Sequence, residues 1–237
     1  MNLKGKNAIV TGGGRGLGKA VALALAHEGV NIAITGRNED NLKNTVEELT
    51  RLGVHATYAV FSIDDEQAVR KGIATLAETL GSVDILVNNA GIGDFGSIEE
   101  MSSETWEQVI KTNLFGVYYA AKAVYPFMKE KGQGDIVNVA STAGLKGGPN
   151  MSAYAASKAA VVSLSQSMMA EWRKRNIRVI TLTPSTIASD MSIQGGLTDG
   201  NPEKVLQPED FAEWVRDILK MNRRALIANG SIFSTNP

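Results

Sequence analysis

Two rhythms of apolar residues alternate along the chain. Short runs rich in Ile, Val and Ala, at 7–11, 31–35, 56–60, 84–88, 135–140, 177–182 and 225–228, read as buried strands bounded by Gly, Asn or Asp. Between them, apolar positions recur every three to four residues over 17–28, 39–52, 65–80, 103–131, 152–175 and 208–221, which predicts helices. Pro126 falls inside the fourth of these and predicts a kink there. Regular strand–helix alternation with nearly continuous apolar strands predicts an α/β fold, a doubly wound parallel sheet of about seven strands with helices on both faces. No linker, repeat or low-complexity tract divides residues 1–237, so one domain is expected. Residues 185–207 break the rhythm with Ser, Thr, Gly and Asn, including Gly195-Gly196 and Pro202. They follow the sixth strand, at the sheet edge where ligands bind in such folds, and are expected to form a substrate lid.

The link between the first strand and first helix reads Thr11-Gly12-Gly-Gly-Arg15-Gly16-Leu17-Gly18. A glycine-rich turn opening a helix lets backbone N–H groups and the helix dipole meet a pyrophosphate, which implies a single-domain Rossmann fold holding a dinucleotide. The spacing is a variant, G-x-x-x-G-x-G, with Gly12, Gly14, Arg15, Gly16, Leu17 and Gly18 as expected contacts. Arg37 ends the second strand where the ribose is read. With Arg15 nearby, it favours the 2′-phosphate of NADP(H) over NAD(H).

Tyr154 and Lys158 lie four apart in a predicted helix, so phenol and ammonium share one face. A cation beside the phenol is expected to lower its pKa from about 10. The Ser141 hydroxyl, thirteen residues upstream of Tyr154, can meet the same substrate oxygen, giving a proton-transfer device for a carbonyl or alcohol.

These motifs, in this order and over nearly the whole chain, resemble the classical short-chain dehydrogenase/reductases. The resemblance extends to Leu86-Val-Asn-Asn-Ala-Gly91, to Lys111-Thr-Asn-Leu-Phe-Gly116 and to Asp135-Ile-Val-Asn-Val-Ala-Ser141. It implies catalytic roles for Asn113, Ser141, Tyr154 and Lys158. Tyr154 handles the proton, Lys158 lowers its pKa and binds the nicotinamide ribose, Ser141 orients the substrate oxygen, and Asn113 holds a water linking Lys158 to solvent. Asn89, Ala90 and Gly91 are implied to lie along the cofactor, Ser62 and Ile63 near its adenine, and Pro184, Ile187 and Ser189 near its nicotinamide.

Three departures from the family pattern stand out. Ser62 occupies the place of an Asp, although a shifted register would put Asp64 there. Pro184-Ser185 replaces Pro-Gly, and Ser lacks glycine's freedom at positive φ, so a different turn is expected. The tail Ala225–Pro237 is unlike that of many 3-oxoacyl-[acyl-carrier-protein] reductases and closer to general carbonyl and hydroxy-acid enzymes. The implied activity is NADPH-dependent reduction of a carbonyl, as a 3-oxoacyl thioester that a carrier can present. A small 3-hydroxy acid, diketone or pteridine is the alternative. A non-catalytic NADP(H) sensor would be marked by loss of Asn113, Ser141, Tyr154 or Lys158, and all four are present. The family's pairing of its long helices implies a homodimer or homotetramer.

Composition narrows the classes further. At 237 residues and 43% apolar, the chain is ample for a well-filled core. Its net charge of −1 offers no footprint for nucleic acid or an anionic membrane. No apolar run approaches a bilayer span and the first residues show no signal-peptide pattern, so a cytoplasmic location is expected. With no cysteine, disulfides and thiol catalysis are excluded. His27 and His55 sit far apart, and no metal is expected. Phe95, Met151 and Met191 are candidates for an apolar substrate pocket or for plain packing.

Overall fold

The computed structural model describes residues 1–235. Its seven strands are β1 (Asn7–Thr11), β2 (Asn31–Gly36), β3 (Ala56–Val60), β4 (Ile85–Asn88), β5 (Gly134–Val139), β6 (Ile177–Pro184) and β7 (Asn229–Ile232). They form one sheet in the order β3-β2-β1-β4-β5-β6-β7, and every neighbouring pair is parallel. The eight α-helices are α1 (Gly16–His27), α2 (Glu39–Arg51), α3 (Glu66–Leu80), α4 (Ser103–Ile110), α5 (Gly116–Lys131), α6 (Ser152–Trp172), α7 (Asp190–Gln194) and α8 (Pro208–Lys220).

The apolar strands acquire their meaning from this layering. Successive side chains on a strand point to opposite faces. Ala8, Val10, Ile32, Ile34, Val87 and Val137 pack with Val21, Leu25, Leu42, Phe211 and Val215 from α1, α2 and α8. Ile9, Ala33, Leu86, Ile136 and Val179 pack on the other face with Val69, Ile73, Val124, Met128 and Met168 from α3, α5 and α6. The chain winds outward from β1 to β3, then returns to lay β4 on the other side of β1. The direction of winding reverses between β1 and β4, which opens a crevice at their carboxyl ends.

Two expected elements are corrected. The last strand lies at Asn229–Ile232 rather than 225–228. Leu226 and Ile227 are partly buried against the core without joining the ladder. The ladder begins with Asn229 opposite Thr181, and Gly230 within it lets Trp214 of α8 pack closely, since a Cβ there would sit 2.7 Å from that ring. The expected helix 103–131 is two helices joined by a π-helical turn at Lys111–Phe115. Pro126 sits within α5 and does not divide it. At the junction, Gly116 packs so closely on Ile63 that a Cβ would lie 2.8 Å from its side chain.

Residues 185–207 are not a featureless loop. They carry α7, capped by Ser189 and Ser192 in reciprocal hydrogen bonds. Their ends are drawn together by the Ile187–Leu206 bridge and the 2.8 Å bond from Ala188 N to Leu206 O. Ser185 takes an ordinary negative φ and its N–H bonds Ile232 O at 2.8 Å, so this turn forms without glycine. Among the described residues no helix is long and apolar enough to cross a membrane, and no group of His, Cys, Asp and Glu could hold a metal.

Candidate active site

The crevice is a cavity of about 1240 Å³ lined from the glycine loop at one end to Tyr154 and Phe233 at the other. Its floor is stitched together at the ends of β1 and β4. The Thr11 hydroxyl accepts from Asn89 N and Ala90 N, both at 3.0 Å, while Asn89 Nδ2 donates to Thr11 O at 3.0 Å. Gly12 lies against this seam with φ +68°, a conformation that a Cβ penalises. Arg15 precedes α1 without offering a side-chain cap, and Gly16 and Leu17 of the first turn line the cavity, at a helix start whose free N–H groups favour anions.

Every residue expected at the cofactor lines this cavity except Gly18. Gly18 is instead a packing glycine: its Cβ would lie 2.3 Å from Gly12 O and 2.5 Å from Asn89 Nδ2. Any larger residue would push α1 off the loop. Arg37 and Arg15 both reach the cavity wall, although Arg15 is engaged by Asp190 of α7 at 2.9 Å. Ser62 and Ile63 line the cavity and Asp64 does not. The Asp64 carboxylate is held below its ordinary range by the Ser62 hydroxyl and then by Gln108, whose Nε2 donates to it at 2.6 Å. The geometry therefore turns Asp64 away from the site, leaving Ser62 in its register.

Tyr154 and Lys158 occupy the first turns of α6 and share the face towards the cavity, with Ser141 at the end of β5 beside them. Burial raises the Tyr154 phenol above its ordinary pKa, and the neighbouring Ser141 hydroxyl pulls the other way. Burial also pushes Lys158 down to about 8. Its Nζ donates to Val139 O at 2.8 Å and lies 5.6 Å from the centre of the Tyr154 ring. The lowering of the phenol pKa expected from Lys158 is not seen: the net shift is upward, and its causes are burial and, opposing it, the Ser141 hydroxyl. Burial is the leading cause of both shifts, disfavouring the phenolate of Tyr154 and the ammonium of Lys158 alike.

Asn113 does not line the cavity; it is fully buried behind it. Its Nδ2 donates to Ile92 O at 2.9 Å and to Ser157 Oγ at 3.0 Å, and its Oδ1 accepts from Ile92 N at 2.8 Å. Ser157 in turn donates to Tyr154 O at 2.7 Å. Both amide hydrogens are engaged, so only Oδ1 retains a lone pair for a further partner. The side chain ties the loop after β4 to the helix carrying Tyr154. Sequence reading gave no role to Ser157 or to the Thr11 hydroxyl; both stand within motifs already marked, and their partners lie on other elements. Phe233 also lines the cavity, but only strand pairing brings it there, since nothing in its local sequence signals a site.

The profile of the short chain dehydrogenase family matches residues 6–198. Gluconate 5-dehydrogenase from Gluconobacter oxydans is 32% identical over 90% of this chain and 80% of its own. The 3-oxoacyl-[acyl-carrier-protein] reductase FabG from Staphylococcus aureus is 34% identical over 94% and 91%. An alcohol dehydrogenase from Thermococcus sibiricus, solved with 5-hydroxy-NADP, superposes with a TM-score of 0.91 at 30% identity, covering 98% of this chain and 97% of that one. A xylitol dehydrogenase bound to NAD+ gives 0.89 at 28% identity, covering 98% and 99%. The chain belongs to the short chain dehydrogenase family of oxidoreductases, whose members bind nicotinamide cofactors.

Proposed function

We propose that this protein is an NADP(H)-dependent reductase converting a carbonyl to an alcohol, with a 3-oxoacyl thioester as its substrate class. The observation that carries the reading is one continuous cavity, with the glycine loop, Arg15 and Arg37 at one end and Ser141, Tyr154 and Lys158 at the other. The residues suit such a cofactor: Gly12 and the start of α1 offer backbone N–H groups to a pyrophosphate, and Arg37 offers a guanidinium to a 2′-phosphate. When bound, the nicotinamide supplies the hydride.

The protein's own residues then manage the oxygen. Ser141 orients it, and the Tyr154 Oη–H donates the proton. A phenol raised by burial is fully protonated at neutral pH, the state an acid needs, which favours the direction of reduction. The Lys158 cation offsets the charge left on the phenolate after transfer. Asn113 holds Tyr154 in place through Ser157. Residues 185–207, with α7 over the cavity mouth, act as the substrate lid.

The thioester assignment is supported by the FabG relative and by apolar walls at Leu145, Met151, Met191 and Leu197. A second reading, a small carbonyl or hydroxy compound, is favoured by the aromatic closure of the cavity at Phe95 and Phe233. Phe115, at the end of the π-helical turn, and Tyr118, in the first turn of α5, stand exposed, which suits burial in a homodimer.

The test is oxidation of NADPH, and separately of NADH, with an acetoacetyl thioester, a diketone, a pteridine ketone and a short 3-oxo acid. NADPH-selective turnover of the thioester is expected. Tyr154→Phe should lower turnover by about a hundredfold or more, with cofactor binding retained. Near-normal activity in that variant would overturn the mechanism, and turnover of small carbonyls alone would favour the second reading.

A further inference from the structure

The geometry points to Phe95 as the wall that limits the size of the group beside the reacting carbonyl and shields the Tyr154 phenol from water. The Phe95 ring lies 5.7 Å from the Tyr154 ring, tilted by 58°, on the cavity side shared with Met151 and Met191. It is wedged between two glycines. A Cβ on Gly93 would sit 2.8 Å from its Cζ, and one on Gly195 would sit 2.6 Å from its Cδ2. The ring therefore occupies space that any side chain at either position would contest.

The backbone fixes the ring as well. Gly96 N bonds Asn150 O at 2.9 Å, and Gly96 pairs with Met151 immediately before α6. The loop bearing Phe95 is thus attached to the start of the helix bearing Tyr154. The ring also touches the C-terminal end of α7 through Gly195, so it joins the proposed lid to the reacting phenol. A substrate whose oxygen meets Tyr154 Oη must pass its substituent alongside this ring. A linear chain can lie along the gap; a branched or aryl group collides with it.

This inference rests on the proposed roles of Ser141 and Tyr154, and its test separates the two. Turnover of matched linear and aryl 3-oxo substrates is measured for the wild type, Phe95→Leu and Phe95→Ala. The aryl-to-linear ratio of kcat/KM should rise by about tenfold or more in Phe95→Ala, as expected when a pocket gains room for added carbons, with Phe95→Leu between. Cofactor Kd should not change. An unchanged ratio overturns the proposal. In parallel, tyrosinate absorbance is titrated with and without Phe95, using Tyr154→Phe to isolate the Tyr154 signal. Phe95→Ala should titrate at lower pH, because water gains access to the phenolate. If the wild type reduces none of the substrates, the functional reading fails, and this titration still decides on the wall: an unmoved phenol overturns it.

Discussion

Lys158→Met measures the cost of burying a cation beneath the active site. Lys158 is 5% exposed, and burial holds its ammonium at about 8 rather than 10.5. The unfolded chain binds this proton more tightly than the folded one, which opposes folding by roughly 3 kcal/mol at about pH 7, given about 1.4 kcal/mol per tenfold change in protonation. Stability rises with pH wherever the unfolded state holds more protons. The penalty is therefore full below about pH 8 and fades as pH climbs towards 10.5. Met is similar in length and carries no charge. It also gives up the 2.8 Å bond to Val139 O, a loss of about 1–2 kcal/mol. The variant should be more stable than the wild type by about 1–2 kcal/mol at about pH 7, while losing turnover. By about pH 9.5 the wild type recovers roughly 2 kcal/mol and the advantage disappears. Urea unfolding of both proteins at the two pH values, with m-values compared, reads this directly. A stability difference that is the same at both pH values refutes the reasoning.

Two further outcomes follow from the cofactor end. Arg37→Ala should weaken NADPH binding by about tenfold or more, the loss of one charge-assisted hydrogen bond, and change NADH binding little; equal losses in two titrations would show that Arg37 does not read the 2′-phosphate. Gly18→Ala should destabilise the fold by about 1–3 kcal/mol, lowering Tm by about 2–4 °C per kcal/mol in a chain of this size, and weaken both cofactors together as the loop shifts. An unchanged melting curve would mean that the contacts of Gly18 with Gly12 O and Asn89 relax without cost.

Local sequence was enough for whatever depends on an element's own period. Strands β1 to β6 and the helices around them follow from where apolar residues recur, because each element buries one face or both according to its own repeat. The glycine loop and the pairing of Tyr154 with Lys158 were legible for the same reason, since a strand-to-helix turn and an i,i+4 face are short-range geometry. Tertiary structure decided whatever depends on a distant neighbour. Leu226 and Ile227 announce burial, but the partner's hydrogen bonds place the ladder at Asn229–Ile232. Nothing within 103–131 marks the π-helical turn, which forms where Gly116 meets Ile63 and Asn113 meets the Ile92 backbone. The pKa directions of Tyr154 and Lys158 reverse the reading of an isolated charge pair, because desolvation is set by everything packed around them. The substrate side of the cavity, where Phe95, Gly195 and Phe233 converge from separate segments, exists only once the chain is folded. Periodicity records which way a side chain faces, and the identity of what it meets there is fixed by contacts between residues far apart in the chain.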